Sequence, residues 1–292
     1  MAVSCGQIPR SVSSLYTYAK YGRYTAFPDF GGRMKNMIES QVKSGLRRFG
    51  IDISYVNDGD RNPQTYTNSL KGAISVKKPL NIIQVGANDG KHNDPIYEFV
   101  KDNESSTNII LVEPIRTVIP YLEENYSYHS SAEIVNKAIG GQESSSIRLY
   151  GIDQNYWDDI NAGYREDWPD YRIPTGVTTT NRDQLLQWIS ENVQSDANPE
   201  SIIEEFDVEV AQPNSIISQS QNMDDVQLLQ VDAEGFDDEV VFSFFEADVY
   251  PNIINIESKH LSQERQERYD QRCKNEGYDV YNYTSSEKLA MK

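Results

Sequence analysis

The sequence predicts an α/β protein built on a doubly wound, mostly parallel sheet. From Leu80 onward, short apolar runs of strand length alternate with segments of helical periodicity. This alternation is typical of parallel strands joined by crossover helices. A chain of 292 residues with a hydrophobic fraction of 38% is long enough to bury one large core of this kind. We therefore expect one α/β domain as the body of the protein.

The N-terminal part of the chain does not share this alternation. We expect a helical extension and linker over residues 1–70, ahead of the main domain at 71–292. Apolar residues recur at helical spacing from Arg33 until Gly50 ends the run, which predicts an amphipathic helix. Between Tyr55 and Lys78 the frequent Asn, Asp, Gly and Pro predict a loop or linker.

Five apolar runs predict the parallel strands, and two later runs have the spacing of an antiparallel hairpin. The predicted strands are Leu80–Val85, Asn108–Pro114, Ala132–Ile139, Val226–Gly235 and Asn252–Ser258, with the hairpin at Tyr278–Tyr283 and Lys288–Lys292. Helical segments follow four of the strands, at Asp94–Asn103, Val118–Tyr126, Phe236–Phe245 and Leu261–Gly277. In the first of these, Asp94 is the expected N-cap and Pro95 the first helical residue. Ligands of such sheets bind beyond the carboxyl ends of the strands, so the segments after the strands are the candidate site.

Charge and composition argue against several kinds of partner. The net charge of −18 disfavours nucleic acid, because phosphate backbones attract the opposite sign. No apolar run has the length of a membrane span, and the first ten residues lack the regions of a signal peptide. Cys5 and Cys273 have neither metal nor redox spacing. We expect free thiols in a cytoplasmic protein that binds neither nucleic acid nor membrane.

The charge is unevenly distributed along the chain. Residues 1–50 hold eight Lys or Arg against two acidic residues, a balance of +6, so the other 242 residues carry −24. We expect the basic segment to pack on the acidic body or on a second subunit of a homo-oligomer. A site for an anionic substrate is the less favoured interpretation.

The turn after the first strand is the first candidate binding element. It reads Gly86-Ala87-Asn88-Asp89-Gly90, in which Gly86 permits a tight turn and Gly90 is expected to leave room for a ligand. A purely structural turn is the alternative. Glu113 favours a ligand, since it ends the second strand 23 residues later, where a carboxylate can accept hydrogen bonds from both ribose hydroxyls of an adenosine.

Five segments in order give the sequence a more specific resemblance. These are QVGANDG, LVEP, VNKAIGG, LLQVDAEGFDDEVV and NIINIESKHL, and with them the chain resembles the FkbM family of S-adenosylmethionine-dependent methyltransferases from about Leu80 to the C-terminus. The D-x-E-G segment at Asp232–Gly235 is the most family-specific piece. The resemblance implies a Rossmann-like class I methyltransferase fold with seven strands, and O-methylation of sugars or polyketide-type natural products.

The resemblance also implies a cofactor site. Gly86, Asn88 and Gly90 would lie at the methionine end, Glu113 at the ribose, and the backbone of Lys137 and Ala138 near the adenine. The full set expected to contact S-adenosylmethionine is Gln84, Gly86, Ala87, Asn88, Asp89, Gly90, Glu113, Pro114, Lys137, Ala138 and Asp232. The family usually has an acidic residue in place of Gln84 and a basic one in place of Gln230, so Gln84 brings no charge to the amino group of the cofactor.

Methyl transfer to a hydroxyl also needs a group that accepts its proton. Asp232 is the first candidate because the motif fixes its position at the end of the fourth strand, with Glu234 beside it and His260 after the fifth strand as a possible base. The alternative is structural: the two acids would then cap the helix at Phe236, and a lone His is more often structural than catalytic. Asp89, Asp232 and Glu257 could bind Mg²⁺, but the spacing does not require it, so we predict no metal.

A long insertion separates the third strand from the fourth, at about 151–222. Its segment Asn155–Pro174 places Tyr156, Trp157, Tyr164, Trp168 and Tyr171 among acidic residues. This composition suits a cap over the site, a stacking platform for a sugar-like acceptor, or an oligomer contact. The segment after it, Asn181–Val193, predicts an amphipathic helix.

The sequence thus predicts an S-adenosylmethionine-dependent O-methyltransferase that acts on a hydroxyl of a sugar-like small molecule. One alternative is a non-catalytic binding protein with the same fold, since no base is unambiguous. An NAD-dependent oxidoreductase is the other alternative, and the absence of the G-x-G-x-x-G spacing argues against it.

Overall fold

The computed structural model describes residues 64–141, 146–160 and 168–292. The predicted helix from Arg33 to Gly50 and the aromatic Tyr164 lie outside the described residues. No helix within the described part of the chain is long and apolar enough to cross a membrane.

The seven strands of the main sheet are β1 (Leu80–Val85), β2 (Thr107–Val112), β3 (Ala132–Val135), β7 (Leu228–Val231), β8 (Ile253–Glu257), β9 (Asp279–Asn282) and β10 (Glu287–Met291). Their order in the sheet is β3-β2-β1-β7-β8-β10-β9. β1, β2, β3, β7 and β8 pair in parallel, whereas β10 runs antiparallel to β8 and β9. This order, with its reversal between β1 and β7 and its antiparallel last strand, is the class I methyltransferase topology. The predicted fold is confirmed.

Helices connect the strands and cover both faces of the sheet. They are α1 (Gln64–Val76), α2 (Tyr97–Asp102), α3 (Ile119–Asn125), α4 (Arg172–Gly176), α5 (Arg182–Asn192), α6 (Pro213–Gln219), α7 (Asp237–Glu246) and α8 (Gln263–Asn275). Alternate residues of β1 point to opposite sides, so Leu80 and Ile82 join a core with α1, α2 and α3, while Ile83 and Val85 join a core with α7 and α8. Strands buried on both faces explain the continuous apolar runs of the sequence.

A second, three-stranded sheet lies between β3 and β7 in the chain. β4 (Ala138–Ile139) pairs in parallel with β6 (Ile203–Ala211), which pairs antiparallel with β5 (Ser146–Ile152). The run predicted as one strand, Ala132–Ile139, is therefore split between two sheets. The second sheet begins before the predicted start of the insertion at residue 151, and the domain bounds given above stay predictions.

Two local predictions are wrong. The part of the predicted linker from Gln64 to Val76 is helix α1, because Tyr66, Leu70 and Ile74 recur at helical spacing and are buried against the sheet. Helix α2 begins at Tyr97 rather than at Pro95, with Ile96 as its N-cap. Asp94 still accepts hydrogen bonds from the backbone N–H groups of Ile96 and Tyr97, so its side chain serves the helix from one position further out.

Candidate active site

One cavity lies at the carboxyl ends of β1, β2 and β7, at the point where the strand order reverses. Its lining includes most of the residues predicted to bind the cofactor, together with Glu234; these are Gln84, Gly86, Ala87, Asn88, Glu113, Pro114, Ala138, Asp232 and Glu234. Asp89, Gly90, Lys137 and His260 are not among the residues that line it. The glycine turn after β1 and the D-x-E-G segment after β7 therefore line the same cavity.

The turn after β1 holds the cavity open through its backbone. Gly86 has a φ of +75°, and a Cβ at this position would collide with the backbone carbonyl of Asp232. Gly90 has a φ of +69°, and a Cβ there would lie 2.5 Å from Cδ1 of Leu122 and 2.6 Å from Cε2 of Tyr126. The expectation that Gly90 leaves room for a ligand is wrong, since the space beside it belongs to the core under helix α3.

Glu113 lines the cavity directly after β2 and is only 2% exposed. Its Oε2 accepts a hydrogen bond from the Asn88 backbone N–H at 2.6 Å, and its Oε1 accepts one from Ile115 at 2.7 Å. Burial raises the pKa of Glu113 to about 7, against the lowering effect of these two donors. Each carboxylate oxygen retains a second lone pair for a hydroxyl donor.

Buried amide side chains cross the sheet beneath the cavity. Gln84, Gln230 and Asn255 are register neighbours on β1, β7 and β8, and Oε1 of Gln230 accepts hydrogen bonds from Asn255 and from the Tyr66 hydroxyl. Helix α1 thus supplies a partner to the floor of the site through Tyr66.

The Gln84 amide also contacts a carboxylate that the sequence analysis did not assign to the site. Its Nε2 donates to Oδ2 of Asp94, and both residues line the cavity. Burial raises the pKa of Asp94 to about 6. Oε1 of Gln84 is buried and has no hydrogen-bond partner among the described residues.

Apolar side chains form the other end of the cavity. Ala138 and Ile139 of β4 lie there with Ile147 and Leu149 of β5, all lining the cavity. Lys137 points elsewhere, since its Nζ pairs with Oε1 of Glu209 at 2.5 Å on the surface. A flat apolar ring fits this end of the cavity.

Acidic residues and one histidine gather after β7 and β8. Nε2 of His260 lies 3.3 Å from Oε2 of Glu234 and 3.5 Å from Oε2 of Glu257, and Nζ of Lys259 pairs with Oε1 of Glu257 at 2.6 Å. Burial, together with the nearby acids Asp232 and Glu257, raises the pKa of Glu234 to about 8. Burial and Lys259 lower the pKa of His260, which favours the neutral imidazole.

The D-x-E-G segment owes its shape to a further acid, Asp237. This fully buried residue of α7 accepts hydrogen bonds from the backbone N–H groups of Gly235 at 3.2 Å and Glu257 at 3.2 Å. Glu234 and Gly235 both have positive φ values, of 46° and 96°. The helix that follows has Phe236 as its N-cap and no side-chain cap hydrogen bond, so neither Asp232 nor Glu234 does the capping considered for them. Asp232 faces the cavity instead, with a buried Oδ1 that has no hydrogen-bond partner among the described residues.

Helix α4 and the residues after it close the cavity from the insertion. Arg172, Thr175, Gly176 and the three residues 178–180 line it. The Tyr171 hydroxyl donates to Oδ2 of Asp89 at 3.1 Å, and Nε of Arg172 donates to the His92 carbonyl at 3.2 Å. The ring of Tyr171 stacks on Tyr121 of α3 at 3.7 Å. These contacts hold the insertion against the turn after β1.

The other aromatic residues of the insertion have structural surroundings. Tyr156 and Trp157 pack in a small core with Ile152, Leu185 and Ile189, next to helix α5. The indole N–H of Trp157 donates to the Ile152 carbonyl at 3.0 Å. The guanidinium of Arg172 lies over the ring of Trp168 at 5.3 Å. The described aromatics thus build and attach the insertion.

Sequence reasoning missed Asp94 and Arg172 as cavity residues. The sequence around Asp94 is typical of a helix N-cap, and this role does not indicate the additional contact with Gln84. Arg172 is far from the glycine turn in sequence, and the contacts of Tyr171 and Arg172 with Asp89, Tyr121 and His92 place it there. Its proximity to several aromatic residues was the sole available signal.

No family model matches the chain, and a search of curated proteins finds no match. Solved structures with a similar shape include a Podospora anserina methyltransferase with bound S-adenosylhomocysteine, at 10% identity and a TM-score of 0.38 over 99% of both chains. A second is a putative O-methyltransferase from Klebsiella pneumoniae, at 8% identity and a TM-score of 0.38 over 96% of both chains. A third is the fibrillarin pre-rRNA processing protein of Methanococcus jannaschii, at 9% identity and a TM-score of 0.37 over 79% of this chain and 76% of that one. The fold assignment rests on the strand order and not on these likenesses.

Proposed function

We propose that the protein is an O-methyltransferase of the FkbM type that binds S-adenosylmethionine and methylates a hydroxyl of a sugar-like small molecule. The observation that carries the proposal is the position of Glu113. This buried carboxylate lies between the glycine turn and an apolar slot, so a ribose on Glu113 would have its base on one side and its sulfur chain on the other.

The residues present fit this cofactor. Ala138, Ile139 and Leu149 would hold the adenine by apolar contact, and Glu113 would accept hydrogen bonds from the ribose hydroxyls. Two buried oxygens that lack partners among the described residues, Oε1 of Gln84 and Oδ1 of Asp232, border the same cavity. Both oxygens are acceptors that gain from a ligand with donor groups.

The cofactor supplies an activated methyl group, and the chain supplies orientation and proton removal. We assign proton removal to Glu234, which lines the cavity and whose pKa of about 8 lies within reach of neutral pH. His260 is a positioning residue, since it lies beside Glu234 and Glu257. Asp232 would accept a hydrogen bond from the acceptor or the cofactor.

The acceptor and the cellular setting are part of the same proposal. Acidic groups around the open end of the cavity suit a neutral molecule with several hydroxyls, and the insertion would act as a cap that orients it. The buried free thiol of Cys273 supports a cytoplasmic location. We keep the expectation of no nucleic-acid or membrane partner, and of a homo-oligomer, as part of the proposal.

The test is calorimetric titration of the purified chain with S-adenosylhomocysteine and separately with NADH, followed by a turnover assay on a panel of sugar-like acceptors. We expect S-adenosylhomocysteine to bind and the Glu113→Gln variant to bind it about tenfold to a hundredfold more weakly, because a neutral amide replaces the charged acceptor and one of its two acceptor oxygens becomes an N–H donor. Glu104→Gln, at an exposed position before β2, is the matched control.

Three outcomes separate the candidate functions. Binding of S-adenosylhomocysteine with methyl transfer supports the proposal, whereas binding without turnover on any acceptor indicates a non-catalytic binding protein. Binding of NADH alone would indicate an oxidoreductase. Unchanged affinity in a folded Glu113→Gln variant would refute the ribose assignment.

A further inference from the structure

The cavity carries two side chains of opposite charge beside the glycine turn, and neither has a role in the proposal so far. Asp94 lies in the loop after the turn, and Arg172 reaches the same loop from the insertion by donating to the His92 carbonyl at 3.2 Å. We propose that Asp94 with Gln84 binds the ammonium group of the cofactor's amino-acid end, and that Arg172 binds its carboxylate. This inference rests on the proposed function.

Asp94 and Gln84, the residues proposed to bind the ligand ammonium, present hydrogen-bond acceptors to the cavity. The Asp94 carboxylate lines the cavity beside Gln84, which donates its Nε2–H to Asp94 and leaves Oε1 buried without a partner in the described part of the chain. Gln84 is 3% exposed, so water does not readily satisfy that oxygen. A carboxylate oxygen and an amide oxygen at one cavity wall suit a ligand with several N–H donors and a positive charge. An alkyl ammonium has both properties.

Arg172, the residue proposed to bind the ligand carboxylate, is a cation with acidic residues around it. Arg172 lines the cavity, and no carboxylate of the described residues forms an ion pair with it. Asp89, which contacts the neighbouring Tyr171 through a hydrogen bond, is already paired with Nδ1 of His92 at 2.6 Å. An arginine always carries its charge, and its planar donors match a carboxylate in a bidentate manner. Arg172 therefore has the capacity to bind an anionic group of a ligand.

The two sides together select a zwitterion. A neutral ligand would leave Arg172 without a carboxylate and Asp94 without a cation, and a simple anion would meet Asp94 and Glu113 as well as Arg172. An α-amino acid group carries the ammonium and the carboxylate on one carbon, which matches two opposite charges that border one loop. Since Arg172 belongs to the insertion, this assignment makes the insertion part of the cofactor site as well as of the acceptor site.

Three ligands test the assignment by calorimetry on the full chain. S-adenosylhomocysteine has both charged groups, S-adenosyl-3-thiopropylamine has the ammonium alone, and 5′-methylthioadenosine has neither. We expect the wild-type protein to bind them in that order of decreasing affinity. Equal affinities for all three would overturn the inference and leave the proposed function intact, whereas a failure to bind any of them would overturn the proposed function itself.

Two variants assign each charge to its side chain. Arg172→Gln should weaken S-adenosylhomocysteine about tenfold to a hundredfold and leave the other two ligands unchanged. Asp94→Asn should weaken the two ammonium ligands by a similar factor and leave 5′-methylthioadenosine unchanged. Uniform loss over all three ligands, or no loss of S-adenosylhomocysteine, would overturn the assignment for that residue.

Controls separate binding from folding. Asp94→Ser keeps a side-chain oxygen for the N–H groups of Ile96 and Tyr97 but removes the charge, and it should behave like Asp94→Asn. Arg148→Gln and Glu98→Gln remove the same charges at exposed positions of β5 and α2, and they should bind all three ligands like the wild type. Retained ammonium selectivity in a folded Asp94→Ser variant would contradict the role of Asp94.

Discussion

The glycines of the turn after β1 are fixed by their neighbours in the fold rather than by a ligand. Gly86 lies against the backbone of Asp232, and Gly90 lies against Leu122 and Tyr126. Both also have positive φ values, which residues with a Cβ adopt only at a cost. A substitution at either position therefore acts first on folding.

Gly90→Ala is predicted to destabilise the protein by about 1–3 kcal/mol more than Gly277→Ala. Both glycines have positive φ, but a Cβ at Gly277 has nothing within 4 Å, so this control carries the backbone cost alone. Urea unfolding of the two variants measures the difference. Equal losses of unfolding free energy would show that the space beside Gly90 is not the constraint.

Glu234 gives the reaction its expected pH dependence. With a pKa of about 8, Glu234 is mostly protonated at neutral pH and becomes a base as the pH rises. At saturating cofactor and acceptor, kcat is predicted to rise about tenfold per pH unit below about 8 and to level off above it. His260→Gln should move this profile, since it removes the imidazole beside Glu234, whereas a flat profile in the wild type would contradict the assignment.

Sequence patterns identified residues whose roles follow from position along one strand. Glu113 and Asp232 end strands, so their place at the cavity could be predicted from the order of elements. Asp94 and Arg172 could not be found this way. The role of Asp94 depends on a side-chain contact with Gln84, and that of Arg172 on how a distant segment packs.

Helix α1 shows how local composition can hide an amphipathic helix. Polar residues and Pro63 at its start predict a loop, but Tyr66, Leu70 and Ile74 form a buried stripe. The Tyr66 hydroxyl also donates to Gln230 at 2.8 Å, which ties the helix to the floor of the site. Burial against the sheet outweighs weak helix propensity here.

Leu70→Ala is predicted to lower the free energy of unfolding by about 2–5 kcal/mol, because the side chain is 1% exposed in a packed core. Val76→Ala is the control at the end of the same helix, where the side chain is 89% exposed, and it should change stability by less than about 0.5 kcal/mol. Chemical denaturation compares the two variants. Equally small changes in the free energy of unfolding for both variants would contradict the packing of helix α1 on the sheet.

The insertion is attached to the main domain by Tyr171, and this contact can be tested alone. Tyr171→Ala removes the stack on Tyr121 and the hydrogen bond to Asp89. It is predicted to speed the dissociation of S-adenosylhomocysteine about tenfold, because the cavity wall loosens. Stopped-flow displacement measures this rate.

Arg148→Ala is the control within the insertion's sheet, because its ion pairs with Asp207 and Glu205 are exposed. It should leave the dissociation rate unchanged. Replacing the whole of 156–171 would be a less clear experiment, since it would also remove Tyr156 and Trp157 from the small core. If Tyr171→Ala folds and releases the ligand at the wild-type rate, the insertion does not act as a cap.

Across the molecule, buried and half-buried carboxyl groups set the response of stability to pH. Burial raises the pKa of Asp94 to about 6, of Glu113 to about 7 and of Glu234 to about 8. Unfolded carboxyl groups titrate near about 4, so the folded state binds these protons more tightly. The free energy of unfolding should therefore fall as the pH rises from about 4 to about 8. The lowered pKa values of His129 and His260 oppose this trend below about pH 6.5.

The melting temperature is predicted to be higher at about pH 6.5 than at about pH 8.5 at constant ionic strength. The net charge of −18 acts in the same direction, since self-repulsion grows as carboxyl groups ionise. The double variant Glu113→Gln and Glu234→Gln should flatten the dependence. A melting temperature that rises over this range would contradict the raised pKa values.

The short parallel pairing of β4 with β6 places the two ends of a long segment, residues 140–209, side by side. Ala138 lies opposite Val210 and Ile139 opposite Ala211, so the chain departs from the main sheet and returns to it at one seam. A segment bounded by such a seam can be exchanged by recombination while β3 and β7 keep their places. A different segment could therefore be grafted between these four residues, by evolution or by design. The main sheet would keep its catalytic residues and gain a new range of acceptors.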